Sequence, residues 1–559
     1  MNIDVILKDT IAKSDDIQLA ELELSIIGQK IRDKNATTKE YTTTLQIDQL
    51  VDRVLQLAFV KEVKIKEIDE AVALKISNKR PHAVSFKEGI LRIVPRSLFF
   101  DYSAVATAKS RTIQHLEESL NEIIRYVDAD FTPSEETDIV LAIRKNGKHN
   151  DYFSHGIHKF KAKFFPRMAR SMANYCTAFD RSKKIIDPFN GSGTTTLECA
   201  LLGYDGAGTD IDPVSLKIAD VKTKCLALEW ASLEKDLSRF ERVGIDHKQK
   251  KLEIVESPLV FPHEIDRKLT VIQRNELLED IGSVMKFLGN VKPENKQFFT
   301  IILSDAINTK LKMRFMGTGV GRFALSFATT RISSLFIKRA QRMIYNIYAY
   351  QYLKDKLKLD ELGKTKIYEG DARKISYKDY DVVVTSPPYL PAASGRESYA
   401  LSKSMSIKLL GDISQNDPNV IDRKIVGSMQ STPRANKPEL PDEIYTLVSW
   451  LENDTLRNIK AKPTLSYFED MQEIIRKMAV EMKPNAKVAM VISKSSQFYK
   501  YSTRETLFTV DVRGIFETMF TKAGFKKDMI LDIELAKSNP FARPRALDKY
   551  YETILIFKK

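Results

Sequence analysis

The chain is 559 residues long, 43% hydrophobic and 29% charged, an ordinary composition for a soluble globular protein with room for two to four domains. Its formal net charge of +14 favours a polyanion as partner, and the lack of any run of about 18 apolar residues argues against a membrane span. Cys176, Cys199 and Cys225 have neither zinc spacing nor an even count for disulfides, and Asp4 comes too early for a secretory leader, so a cytoplasmic protein with reduced interior thiols is expected.

From residue 1 to about 150 helical patterns mix with short strand-like runs. Leu19, Leu22, Leu24, Ile26 and Ile27 mark an early amphipathic stretch, Leu50, Val51, Val54, Leu55 and Leu57 recur at helical spacing, and Gly89 to Pro95 reads as a strand. No catalytic or nuclease motif stands out, so residues 1–150 are expected to form an accessory domain, a scaffold with target recognition or dimerisation as competing roles.

Residues 151–213 hold the first motif. His155 and His158 stand three apart, but no third ligand lies near them and no metal is expected. Phe164-Phe165-Pro166 reads as the start of a helix that packs its aromatic rings into the core. The apolar strand Ile185-Ile186-Asp187 then runs through Pro188, Phe189 and Asn190 into Gly191-Ser192-Gly193, and Thr194 opens a helix that continues to Leu202 and stops at Gly203. Glycines let backbone approach a ligand closely, and a helix amino terminus offers unpaired amides. A second strand, Gly206 to Asp210-Ile211-Asp212, ends in acid, and an acid there can take the two hydroxyls of a ribose.

Residues 214–360 are a long, mostly helical insertion where a plain doubly wound domain needs only one helix. Between Ala306 and Tyr352 stand Lys310, Lys312, Arg314, Arg322, Arg331, Lys338, Arg339 and Arg342 with no acid among them, interrupted by the glycines 317, 319 and 321. Such a segment can follow a phosphate backbone. Lys366 to Asp371-Ala372 is a third strand ending in acid. The fourth, Asp381 to Val384, closes on Thr385-Ser386-Pro387-Pro388-Tyr389: two prolines end a β-branched run abruptly and deliver its last residues to the carboxyl edge of the sheet, where ligands bind.

The two motifs together resemble the adenosylmethionine-dependent amino methyltransferases that modify exocyclic amines of DNA bases, whose glycine motif has the form Asp-Pro-Phe-x-Gly-x-Gly-Thr and whose catalytic motif is Ser/Asp/Asn-Pro-Pro-Tyr/Phe. The resemblance covers about His155 to Lys559 apart from the insertion, and it implies a Rossmann-like α/β fold with a seven-stranded methyltransferase sheet, a helical insertion and an N-terminal accessory domain. It also implies S-adenosylmethionine as cofactor. Asp187, Pro188, Phe189, Gly191, Gly193 and Thr194 would form the glycine loop around it, Asp210 and Ile211 the ribose end, Asp371 and Ala372 the adenine side, and Thr385 the join to the catalytic motif. In this family a histidine followed by Ala-Lys-Phe-Pro helps wall the pocket. Here the pattern is His158, Ala162, Lys163, Phe164 and Pro166, with Phe165 as an extra residue.

Ser386, Pro387, Pro388 and Tyr389 are the implied catalytic residues. An exocyclic amine conjugated with its ring is a poor nucleophile, and acceptors such as Ser386 Oγ and the Pro387 carbonyl can hold it in line with the methyl group and disperse its developing charge. Tyr389 would stack on a base flipped out of the duplex. Serine at the first motif position resembles the cytosine-N4 enzymes more than the adenine-N6 ones, and a recognition region between the cofactor and catalytic motifs agrees with the basic insertion. The expected partner is double-stranded DNA, contacted by Lys312, Arg314, Arg322, Arg331, Lys338 and Arg339 and by Arg396. A restriction endonuclease acting on the same site is the expected companion. Adenine N6, an RNA amine, and a DNA-binding protein without activity are the alternatives.

Within residues 361–559, the stretch 391–463 has little periodicity and is expected to be a lid-like loop facing DNA. Ser466 and Glu469 form a capping box expected to start a helix bearing Met471, Ile474, Ile475, Met478 and Met482 on one face. Ala486 to Ser493 supplies a fifth strand, a helix runs from Val512 to Ala523 with Gly524 as its stop, and two late strands, Met529 to Leu535 and Glu552 to Phe557, are expected to pair antiparallel.

Overall fold

The computed structural model describes residues 1–8, 14–128, 137–145, 151–160, 163–246, 259, 261–315, 323–390, 404–410, 418–431, 438–500, 502–503, 505–534 and 551–559. The first element is an antiparallel sheet of six strands, β1 (Asn2–Leu7), β2 (Gln29–Asp33), β3 (Thr38–Thr42), β4 (Val60–Ile65), β5 (Val84–Lys87) and β6 (Ile90–Ile93), in the order β2-β3-β1-β4-β6-β5. Alternate residues of β1, namely Ile3, Val5 and Leu7, are buried, as the period of two of a half-covered strand requires.

The remaining strands are β7 (Ile185–Asp187), β8 (Gly206–Asp210), the hairpin β9 (Leu311–Phe315) with β10 (Phe323–Phe327), β11 (Thr365–Glu369), β12 (Val382–Thr385), β13 (Lys487–Ser493), the hairpin β14 (Ser496–Tyr499) with β15 (Thr506–Val510), β16 (Lys526–Glu534) and β17 (Tyr551–Lys558). Seven of them form one sheet in the order β11-β8-β7-β12-β13-β17-β16. The first five run parallel, and β17 is antiparallel to both β13 and β16. The chain winds outward from β7 through β8 to β11, then returns to lay β12 on the other side of β7. The carboxyl ends of β7 and β12 therefore flank the topological switch point, where ligands of doubly wound sheets bind. This is the Rossmann-like seven-stranded sheet expected from the sequence, including its terminal antiparallel pair.

Side chains of β12 alternate between the two faces. Val382 and Val384 join a core built from the N-terminal sheet, the helix Ser14–Leu24 and the helix Pro166–Thr177, while Val383 joins the opposite core under the helices Ala461–Glu481 and Val512–Lys522. Helix Ser14–Leu24 rests on β16 as well as on Pro166–Thr177. The N-terminal region thus has its own sheet yet shares its core with the seven-stranded sheet. The insertion is mostly helical, with Trp230–Asp246, Val271–Gly289, Pro293–Lys310 and the long Ile332–Leu357 in a third core that also takes in Arg96–Lys109 and Ile113–Asp128. All three cysteines are buried, and among the described residues no helix is long and apolar enough to cross a membrane.

Two readings change here. The stretch 391–463 is not one lid-like loop: it contains the helices Ser404–Leu410, Pro418–Lys424 and Asp442–Asn453, the last packed on Ala461–Glu481. Residues 391–403, 411–417 and 432–437 of it lie outside the described residues. The helix assigned to the Ser466 box begins at Ala461, with Pro463 in its first turn, where a missing amide costs nothing; Ser466 and Glu469 are buried one turn further on. The hairpins β9–β10 and β14–β15 were not anticipated.

Candidate active site

Asp187 ends β7 and is nearly fully buried. Its Oδ2 accepts the Thr195 hydroxyl at 2.6 Å; its Oδ1 accepts the Phe189 amide at 3.0 Å and the Thr385 hydroxyl at 2.6 Å. One carboxylate thereby shapes the turn after β7, pins the helix that follows, and ties both to the last residue of β12. Burial pushes its pKa up to about 6 even though these bonds favour the charged form.

The turn is made by Gly191 and Gly193, with φ of +48° and +78°. A Cβ on Gly193 would stand 2.7 Å from the Ala219 Cβ, so the residue serves both the left-handed backbone and the contact with helix Pro213–Lys224. Helix Thr194–Leu202 starts here with no side chain capping it and ends on Gly203 at φ +79°, as the sequence implied. Asp210 closes β8 and reaches back: its Oδ2 accepts the Gly191 amide at 2.9 Å and its Oδ1 the Asp212 amide at 2.9 Å. Ile211 lies between these two acids.

These features fit the adenosyl cofactor. The uncapped amino terminus leaves its first amides open to an acceptor. Asn190 Nδ2 and Thr194 Oγ1 are buried in the loop without a hydrogen-bond partner among the described residues, and the Asp210 carboxylate, a hydroxyl acceptor by its chemistry, is oriented by two backbone amides.

Lys163 donates to Asp151 at 2.6 Å and to the His155 carbonyl at 2.8 Å. Phe164 packs towards the core shared with the N-terminal sheet, and Pro166 is the first residue of its helix. Among the described residues of the segment before them, Phe160 lies against the loop, with a ring atom 3.4 Å from where a Gly191 Cβ would sit. Asp371 is held by Arg373, which also pairs with Asp470 at 3.0 Å, and Ala372 is buried beside the same turn. The strand itself ends two residues earlier than expected, at Glu369.

Ser386, Pro387, Pro388 and Tyr389 follow β12 on the same edge as the glycine loop. Pro387 is buried, while Ser386, Pro388 and Tyr389 are partly accessible. The Tyr389 hydroxyl donates to Glu552 Oε1 at 2.7 Å, a partner no sequence pattern indicated.

Beneath the loop lies a second feature the sequence did not reveal. Glu198, on the helix that follows the glycines, accepts from Arg170 Nε at 2.6 Å, from His155 Nε2 at 2.6 Å and from the Tyr152 hydroxyl, all with side chains fully or almost fully out of solvent. Burial alone would raise the Glu198 pKa, but Arg170 and the bonds from His155 and Tyr152 bring it down to about 2. Burial lowers His155 to about 4, so the ring is neutral and donates from Nε2. His158 instead contacts Ser304 at 3.0 Å, and both histidines are engaged with the protein itself.

The basic insertion divides. Lys312 and Lys338 are exposed. Arg331 pairs with Asp280 at 2.7 Å and with Glu279, Arg339 with Asp305, and Lys310 with Glu276. Acids missing from the run are thus supplied by the two preceding helices. Arg322, Arg396 and the Arg314 side chain lie outside the described residues. A cavity of about 600 Å³ lined by Arg80, Arg96, Arg181 and Asp360 opens at the opposite, amino edge of the sheet and is separate from this site.

No family model matches the chain. Over 152 residues it is 33% identical to the type II methyltransferase M.MjaII of Methanocaldococcus jannaschii, a match covering 25% of this chain and 27% of that protein. Over 368 residues it is 22% identical to the type II methyltransferase M.MvaI of Kocuria varians, covering 60% of this chain and 75% of that one. The chain therefore matches about a quarter of the first relative's length and three quarters of the second's. A crystallised SAM-dependent methyltransferase from Methanosarcina mazei is similar at 10% identity and a TM-score of 0.24, covering 68% of this chain and 93% of that one; a likeness of that size carries no weight, and the fold rests on the strand order itself.

Proposed function

We propose that the chain is an S-adenosylmethionine-dependent DNA methyltransferase that methylates the exocyclic N4 of cytosine in a base taken out of the duplex. The observation that carries this reading is the meeting of the Gly191–Gly193 turn and the Ser386–Tyr389 turn on the adjoining carboxyl ends of β7 and β12, joined by the Thr385–Asp187 bond. The two relatives named as type II methyltransferases support methyl transfer.

Bound at the glycine loop, the cofactor supplies a methyl group on a positively charged sulfur. The open amides after Gly193 and the carboxylate of Asp210 hold it, and Asp187 keeps that loop in register with the catalytic turn. Ser386 Oγ and the Pro387 carbonyl accept the hydrogens of the substrate amine, and the fixed proline φ gives that carbonyl a constant direction. Tyr389 offers its ring to the flipped base. Lys312 and Lys338 follow the DNA backbone, and a restriction endonuclease of the same site is the proposed companion.

Serine at position 386 favours cytosine N4 over adenine N6. The test is expression in a host without its own methylation, followed by sequencing that distinguishes modified bases. One recurrent N4-methylcytosine context is the expected result. Recurrent N6-methyladenine would move the reading to adenine, and modified RNA with unmodified DNA would overturn the DNA acceptor.

A further inference from the structure

Glu552 is the second residue of β17, at the catalytic edge, opposite Ser493 of β13 and Ile533 of β16. Its carboxylate receives the Tyr389 hydroxyl at 2.7 Å, and the Ser386 side chain lies near enough to influence the same phenol. A carboxylate 163 residues away in sequence therefore stands behind the last residue of the catalytic turn. Burial pushes the Glu552 carboxyl up and the Tyr389 hydroxyl far up, so the proton on the phenol stays there at rest, while the carboxylate is a readier base than an exposed one.

Among the described residues, few other ionisable groups bear on this pair. Tyr467 faces Tyr389 from helix Ala461–Glu481. Asp532 of β16 binds the neighbouring Thr553 at 2.7 Å and is held by Lys494 and Arg513, but Thr553 points to the other face of the strand from Glu552.

The chemistry needs such a group. An amine conjugated with a pyrimidine ring cannot keep an extra proton once it has gained a methyl group, and that proton needs a destination. We propose, on the reading of the chain as an amino methyltransferase, that Glu552 is the terminal proton acceptor, reached from the substrate amine through Ser386 and Tyr389. The new N–CH₃ bond uses the amine lone pair while the S–CH₃ bond breaks and its electrons stay on sulfur, so the positive charge passes to nitrogen. The amine proton moves to Ser386 Oγ, the serine proton to Tyr389 Oη, and the tyrosine proton to Glu552 Oε1. The positive charge of the donor and the negative charge of the carboxylate cancel, leaving a neutral acid that returns its proton to solvent when the product leaves. Glu552 acts through Tyr389, and is in that sense a positioning and proton-accepting residue that does not itself touch the base.

The test is single-turnover methylation of DNA from a methylation-free host, with labelled donor, across a pH series. Glu552→Gln keeps an oxygen for the Tyr389 hydroxyl but cannot take its proton, and Tyr389→Phe keeps a ring for stacking but breaks the relay. Each is expected to slow the chemical step by about 10²- to 10⁴-fold, with donor affinity by calorimetry unchanged. The wild-type rate should fall in acid with one ionisation that Glu552→Gln abolishes. Infrared difference spectra should show a protonated carboxyl after turnover in the wild type and none in Glu552→Gln. A Glu552→Gln protein with the wild-type rate and pH profile would overturn the relay while leaving the methyltransferase intact. A wild-type protein that methylates no nucleic acid would overturn the parent reading, and the relay with it.

Discussion

Thr385, the last residue of β12, donates its hydroxyl to Asp187, the last residue of β7, at 2.6 Å and entirely out of solvent. Two motifs 198 residues apart are thus held in register by one bond. Thr385→Val keeps the shape and removes the donor; it is expected to cost about 1–3 kcal/mol of stability and to weaken cofactor binding, read by urea unfolding and calorimetry. The pH dependence adds a check. Because burial raises Asp187 from 3.8 to about 6, its share of stability is greatest in acid and is lost as pH rises through about 6. Without the Thr385 bond, which favours the charged form, that loss should extend to higher pH.

His155 works in the other direction. Its pKa falls from 6.5 to about 4 on burial, so its contribution is complete above 6.5 and is lost as pH drops through about 4. One pKa unit corresponds to about 1.4 kcal/mol, which makes the effect several kcal/mol in size. His155→Gln should flatten this part of the stability profile, measured by chemical denaturation at a series of acidic pH values. A wild-type profile already flat there would show that the ring is neutral for no cost.

Tyr389→Ala should abolish most methylation while cofactor affinity persists. A stacked base is worth about 1–3 kcal/mol, similar to the cost of extrusion, so the loss should appear in binding of a flipped analogue base as well as in turnover. Equal loss of cofactor affinity in a calorimetric titration would contradict this division of labour between the two turns.

Exposed and paired cations of the insertion should behave differently. Replacing Lys312 or Lys338 by Ala should weaken DNA binding on all sequences alike and lower the slope of log affinity against log salt by about 1. Arg339→Ala leaves Asp305 buried without its partner, and should instead lower the melting temperature with a smaller change in that slope. Fluorescence titrations at several salt concentrations, beside thermal melts, separate the two.

Local features were readable from the sequence. The glycine turn, the helix stop at Gly203 and the double proline after Thr385 each state a backbone requirement within a few residues, and each lies where expected. Pairing across distance was not. The acids that meet Arg331 and Arg339 sit on helices 34 or more residues earlier in the chain, Glu552 reaches Tyr389 across 163, and the Glu198 cluster draws on three separate elements. The Ser466 box misled because a capping pattern records what could start a helix, and here the helix is already under way from Ala461 with Ser466 buried inside it. Residues 1–150 carry no motif, and their sheet order follows from which faces must be covered, a question that only the assembled chain answers.

That covering has a practical side. Ile3, Val5, Leu19 and Leu22 lie in the same buried cluster as Val382, Ala489 and Ile554, and Glu23 is bonded to Asn174 at 2.8 Å. A fragment trimmed to begin near residue 151, the obvious choice for producing the catalytic half alone, would present a bare oily wall to water. Such a fragment belongs in inclusion bodies, and activity is best sought with the front of the chain left on.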